Sequence, residues 1–194
     1  MVNDLQQLAR EIGAPERTLR RAVAEGALRC HRPGPRRLEV DAEEVSYLTD
    51  HWPLLAQLRA ALRTEPRVRF AALYGSVARG EEGPGSDVDL LVALDDDRPT
   101  AASALALRLR RQIGREVDVA LLDDVEQRAP LLALRAIDDG RVLVDRDWCW
   151  LPLRRRRPML AKRAEADLAV RMQAAAEAAR ELMAGSRQLS PMAA

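Results

Sequence analysis

The sequence predicts an α/β (α+β) protein. A sheet domain is preceded by a small helical unit carrying a hairpin and is followed by a C-terminal helix. Three observations carry this reading. From Arg67 onward, apolar runs of strand length alternate with helix-length patterns. Before it, two short helical patterns split at Gly13 and run into a Pro-Gly-Pro segment. After it, Leu160, Ala164, Leu168, Met172, Ala175, Ala179 and Leu182 line one face at helical spacing.

Taken in order, residues 1–51 form the first expected unit. Leu5, Leu8, Ala9 and Ile12 fall on one helical face, and Gly13 interrupts it. Pro15 suits the first turn of a second helix, with Leu19, Ala22 and Val23 inward and Gly26 at its end. The stretch CHRPGPRRLEV reads as two short strands around a tight loop. Asp41 and Glu44 have capping-box spacing, so a short helix through Val45 and Leu48 is expected. The second unit, 52–150, opens with a helix from Pro53 to Pro66, with Trp52 as a hinge contact. Strands follow at Val68–Tyr74, Val88–Leu94 and 116–122, with a loop over 77–85, helices over 99–113 and 130–139, and an edge strand around Val142–Val144. Residues 151–185 read as a basic linker, Arg154 to Arg157, and the striped helix; 186–194 read as a disordered tail.

Composition narrows the function classes. The chain has 194 residues, 31 basic against 30 acidic, and a net charge of +1. That excludes a globally basic nucleic-acid coat and an acidic tail protein, so polyanion binding must come from local patches. Apolar residues are 47% but aromatics only 3%, so Leu, Val and Ala must build the core. Cys30 and Cys149 stand far apart, which argues against a disulfide scaffold or a structural zinc site. The N-terminus lacks a secretory pattern, and no apolar run has membrane-spanning length, so a cytoplasmic location without membrane contact is expected.

The chemistry concentrates in one segment. Gly75-Ser76 ends a strand, ten residues intervene, and Asp87-Val88-Asp89 opens the next. Alternation places Asp87 and Asp89 on the same face. Two carboxylates on an otherwise apolar strand repel each other and resist burial, so they call for a hard cation such as Mg²⁺. Asp118, flanked by Val117 and Val119, is the candidate third carboxylate; Asp123 and Asp124 are less suited, since they lie at the strand's end. Three carboxylates around two magnesium ions can run in-line phosphoryl or nucleotidyl transfer. Gly75 lets the backbone approach a phosphate, and the Ser76 hydroxyl and nearby N–H groups can hold a triphosphate. Arg79 can add positive charge, and Ser86 can orient the chain near Asp87.

The segment YGSVARGEEGPGSDVDLLV resembles the signature of the nucleotidyltransferase superfamily that includes DNA polymerase beta, and most of all its minimal nucleotidyltransferase (MNT) branch. The resemblance covers about residues 54–146. It implies a mixed sheet with flanking helices, ATP as substrate and two Mg²⁺ ions. It further implies Gly75 and Ser76 on the triphosphate, Asp87 and Asp89 on the metals, and Asp118 as third carboxylate and base. Only about 45 residues follow the fold, too few for an acceptor-binding lobe, so a partner must present the acceptor. In the MNT branch that partner is typically a HEPN-type toxin, neutralised by AMP transfer to a tyrosine.

The segment LQQLAREIGAPERTLRRAVAEGALRCHRPGPRRLEV resembles a winged helix-turn-helix of the MerR or excisionase type. That likeness implies Arg17, Arg20 and Arg21 on a recognition helix and Arg32, Arg36 and Arg37 on a wing, all positioned for DNA. The combined expectation is an antitoxin-like protein that adenylylates a HEPN-like toxin and represses its own operon, working as a homo-oligomer or hetero-complex. Two alternatives stand beside it: a non-enzymatic DNA-binding regulator that uses the fold to sense nucleotide or to dimerise, and a small-molecule (antibiotic) nucleotidyltransferase.

Overall fold

The computed structural model describes residues 3–34, 37–95 and 98–188. The chain opens with β1 (Asn3–Asp4), α1 (Leu5–Glu11), α2 (Glu16–Glu25) and the hairpin β2 (His31–Gly34) and β3 (Arg37–Val40). The strand β1, not foreseen from sequence, pairs with β3 to make a three-stranded sheet in the order β1-β3-β2. Arg36 lies outside the described residues, as does the side chain of Arg37.

A single helix, α3 (Ala42–Thr64), replaces the two expected here and runs through Pro53. The expected division between residues 51 and 52 therefore falls inside a helix, and Trp52 is a buried helical residue in the core that the two expected units share. An interior proline costs roughly 3 kcal/mol. Tyr47, Leu48, Trp52, Leu55, Leu58 and Leu62 are all buried along α3. Each such side chain contributes about 1.5–3 kcal/mol on burial, so a continuous buried face outweighs that cost. The expected capping box is also absent: Asp41 caps no N–H with its side chain, and Glu44 turns inward.

The main sheet contains β4 (Val68–Tyr74), β5 (Val88–Leu94), β6 (Val117–Leu121) and β7 (Arg141–Asp145) in the order β6-β5-β4-β7. Strands β5 and β6 are parallel and the other pairs antiparallel, so the sheet is mixed. Between them lie α4 (Gly75–Arg79), α5 (Pro99–Ile113), α6 (Leu122–Arg128) and α7 (Pro130–Asp139). Then come α8 (Trp150–Arg155) and α9 (Arg157–Gln188).

Strand alternation divides two cores. Leu73, Leu90 and Val92 face a core shared with α3, α5 and the N-terminal unit. Phe70, Ala72, Tyr74 and Leu91 face α6, α7, α8 and the start of α9. Because Leu5, Leu8 and Leu19 join the first core, the N-terminal unit packs continuously onto the sheet domain. At the far end, Leu160 and Ala164 of the apolar stripe are buried, whereas Leu168 and Met172 are exposed. The basic run closes α8, turns at Arg156 and opens α9 rather than forming a linker, with Arg156 on Glu126 and Arg157 on Asp138, both at 2.7 Å. Helix α9 reaches Gln188, into the segment expected to be a disordered tail; residues 189–194 lie outside the described residues. Among the described residues no helix is long and apolar enough to cross a membrane, and Cys30 and Cys149 are free thiols.

Candidate active site

The parallel pairing of β5 and β6 sets Asp89 directly beside Asp118. The antiparallel pairing of β4 and β5 sets Tyr74 opposite Asp89. All three point to the α6–α7 face of the sheet by the two-residue period, and Asp87 shares it. Asp87 and Asp118 are exposed and Asp89 is half-buried. Burial raises the Asp89 pKa above the ordinary carboxylate range, and the neighbouring Asp118 and Asp87 charges raise it further, against a lowering influence from Arg79. Tyr74 is pushed up to about 12, first by burial and then by Asp89 and Asp118. Tyr74 sits in the quoted motif but not among the predicted site residues; its signal was its place as the last strand residue before Gly75.

Gly75–Arg79 forms a short helix, where the sequence predicts loop from Val77 on. Gly75 has φ +77°, and a Cβ there would overlap the Asp89 carboxylate. Only glycine permits both the left-handed backbone and that approach. Ser76 is half-buried beside it. Arg79 lies exposed at the helix end and pairs with Glu81 at 2.6 Å and Asp139 at 2.5 Å. Ser86 organises the chain entering Asp87: its Oγ accepts from the Gly83 N–H at 2.9 Å, and its carbonyl accepts from Arg115 at 2.9 Å.

Like charges spread apart, and among the described residues no three His, Cys, Asp or Glu side chains form a closed metal-ligand set. The donor chemistry nonetheless fits a hard divalent cation: three carboxylates share one end of the sheet, and one of them is already destabilised as an anion. A cavity of about 370 Å³ opens beside β6, lined by Ser103, Val119, Ala120, Asp124 and Val125 among others; none of the three carboxylates lines it.

In the N-terminal unit, Arg17 and Arg32 are exposed. Arg20 and Arg21 lie on the same helix and are tied to Glu16 and Glu25, each at 2.7 Å.

Residues 56–148 match the family described as Polymerase beta, Nucleotidyltransferase. No curated protein matches the sequence. Among solved structures, a chain in the crystal structure of a toxin-antitoxin with AMP-PNP aligns at TM-score 0.52 and 18% identity, over 62% of this chain and 97% of that one. A chain from a mutant form of the toxin-antitoxin MntA-HpeT aligns at TM-score 0.51 and 19% identity, over 62% and 95%. A chain from the tri-AMPylated Shewanella oneidensis HEPN toxin in complex with MNT antitoxin aligns at TM-score 0.50 and 16% identity, over 64% and 98%. The sheet and its flanking helices thus have the polymerase beta-like nucleotidyltransferase fold of MNT proteins.

Proposed function

We propose that this protein is a magnesium-dependent nucleotidyltransferase that moves AMP from ATP to a hydroxyl of a protein partner, in the manner of an MNT antitoxin acting on a HEPN-like toxin. The observation that carries this reading is the side-by-side register of Asp89 and Asp118 against a glycine turn too tight for any side chain. The N–H groups of the Gly75–Ser76 turn bind the triphosphate, and Arg79, whose charge already reaches Asp89, supports it. Two Mg²⁺ ions bound by Asp87, Asp89 and Asp118 would neutralise charge on the reacting phosphate and polarise the acceptor hydroxyl. Asp118 takes the hydroxyl proton. The acceptor oxygen bonds to the α-phosphorus, the α–β bridge breaks, and pyrophosphate leaves. The similar solved structures, a toxin-antitoxin with AMP-PNP and a tri-AMPylated HEPN toxin in complex with MNT antitoxin, support the choice of nucleotide and acceptor class.

The N-terminal unit adds a second part to the proposal: DNA binding and repression of the protein's own operon in the cytoplasm. Two helices followed by a hairpin, with Arg17 and Arg32 exposed, support it. The same feature favours the rival reading of a non-enzymatic regulator. Incubation with labelled ATP, Mg²⁺ and the co-encoded partner separates the two. Label on the partner is expected; nucleotide uptake with no turnover would overturn the enzymatic reading and leave the regulator.

A further inference from the structure

Helix α4 has only five residues, too few to hold itself together. Yet it presents Gly75 and Ser76, and its position decides where a phosphate would sit. Its support comes from a buried charge. Arg141, the first residue of β7, is 2% exposed and donates from Nε to the Ala78 carbonyl at 2.8 Å. That carbonyl belongs to the last turn of α4, which has no intrahelical donor to offer it, and a cation there also suits the helix dipole.

Arg141 is itself held from the other side. Its two Nη atoms donate to both Glu44 oxygens, at 2.6 and 2.9 Å, and Glu44 is 6% exposed. The guanidinium lies 3.5 Å from the centre of the Tyr47 ring. Tyr47 stacks on His51, whose Nε2 meets Glu82 Oε1 at 2.8 Å in the loop after α4. The Tyr47 ring also lies so near Gly80 that a Cβ there would stand 3.1 Å from it. A second limb reaches α4 from outside: the Arg29 side chain donates to the Asp139 carbonyl at 2.7 Å, and the Asp139 carboxylate holds Arg79. Glu44 meanwhile accepts from the Arg29 backbone N–H at 3.0 Å. The two residues named here that touch α4 directly, Arg141 and Asp139, are each held in turn by residues of the N-terminal unit or the start of α3, Glu44 on the first and Arg29 on the second, and Tyr47 and His51 reach Gly80 and Glu82 just beyond the helix.

We infer that Arg141 and Glu44 are positioning residues for the nucleotide turn, and that the N-terminal unit and the start of α3 form the back wall of the transfer site. The nature of the bound group rests on the function proposed above; the bracing does not. Arg141→Lys keeps the charge but loses the two-pronged contact and the Nε donor. Glu44→Gln keeps the shape and removes the countercharge, and it carries the test if Arg141→Lys fails to fold. Leu109→Ala, in the core under α5, is the control for general destabilisation.

In the full chain, two readouts are taken: amide exchange at Gly80 and Glu81, whose N–H groups bond back into α4, and the affinity for ATP with Mg²⁺. Exchange at those two amides is expected to quicken. ATP affinity is expected to fall about 10–100-fold in Arg141→Lys, the usual range for lost outer-shell supports, and less in Glu44→Gln. Leu109→Ala lowers Tm and leaves both readouts at the wild-type value. Unchanged exchange in both junction variants, an unchanged ATP affinity despite faster exchange, or equal effects in the control would overturn the inference. Faster exchange in a protein whose wild type takes up no ATP would uphold the brace and overturn the nucleotidyltransferase reading.

Discussion

Two acidic side chains on the same scaffold live under opposite electrostatic conditions. Glu44 is almost fully buried, and both its oxygens are matched by one guanidinium. Asp89 is half-buried, and its neighbours are two more carboxylates and a tyrosine whose pKa is itself driven to about 12. A matched charge in a protein interior holds elements together. A mismatched one stores free energy that only a cation or a proton releases, which is why perturbed carboxylates gather at functional sites. The first arrangement marks a joint and the second a candidate site.

Replacing each acid should therefore fail in a different way. Asp89→Asn is expected to lower AMP transfer by about 10³-fold, the upper range for losing one electrostatic stabiliser. Its thermal stability should not fall, because a repelling charge has been removed. The pH dependence sharpens this. The folded-state pKa of Asp89 lies above its unfolded value, so between the two the folded state holds more protons. Stability then falls as pH rises from the ordinary aspartate range through the raised folded value, and stays lowered above it. Thermal melts across that window should show this loss in wild type and lack it in Asp89→Asn, and Mg²⁺ should restore the wild-type Tm.

Glu44→Ala should do the reverse. It strands a buried guanidinium and is expected to cost about 3–5 kcal/mol in chemical denaturation. Gly75→Ala stands between the two. A side chain at φ +77° that also meets the Asp89 carboxylate should cost about 1–3 kcal/mol, and ATP uptake measured by calorimetry should vanish with it. The smallest effect is expected on α9. Leu168→Ala, on the exposed part of the stripe, should change stability by no more than about 0.5 kcal/mol in urea melts of the isolated protein.

The same contrast explains what could be read from the sequence. The site is local: Gly75, Ser76, Asp87 and Asp89 lie within one strand-turn-strand segment, and alternation alone puts the carboxylates on one face. Asp118 could be singled out because its valine neighbours mark a strand, and the structure sets it beside Asp89. Helix α5 was legible to the residue, since Pro99 and Gly114 punctuate it. The joint is non-local. Glu44 read as half of a capping box, and nothing in a single sequence ties it to Arg141, the residue after Gly140. Pro53 misled for a related reason: local propensity says break, while the buried face from Tyr47 to Leu62 says continue. Val77–Arg79 read as loop because so short a helix has little propensity of its own and takes contacts from far along the chain, such as Arg141 on the Ala78 carbonyl.

The most direct measurement is a calorimetric titration of ATP into the wild-type chain and into Asp89→Asn, each with and without Mg²⁺. Uptake by the wild type that requires Mg²⁺, and that disappears in Asp89→Asn, is the predicted result. Uptake indifferent to the metal, or undiminished by the substitution, would contradict the assignment of these carboxylates to a nucleotidyl-transfer centre.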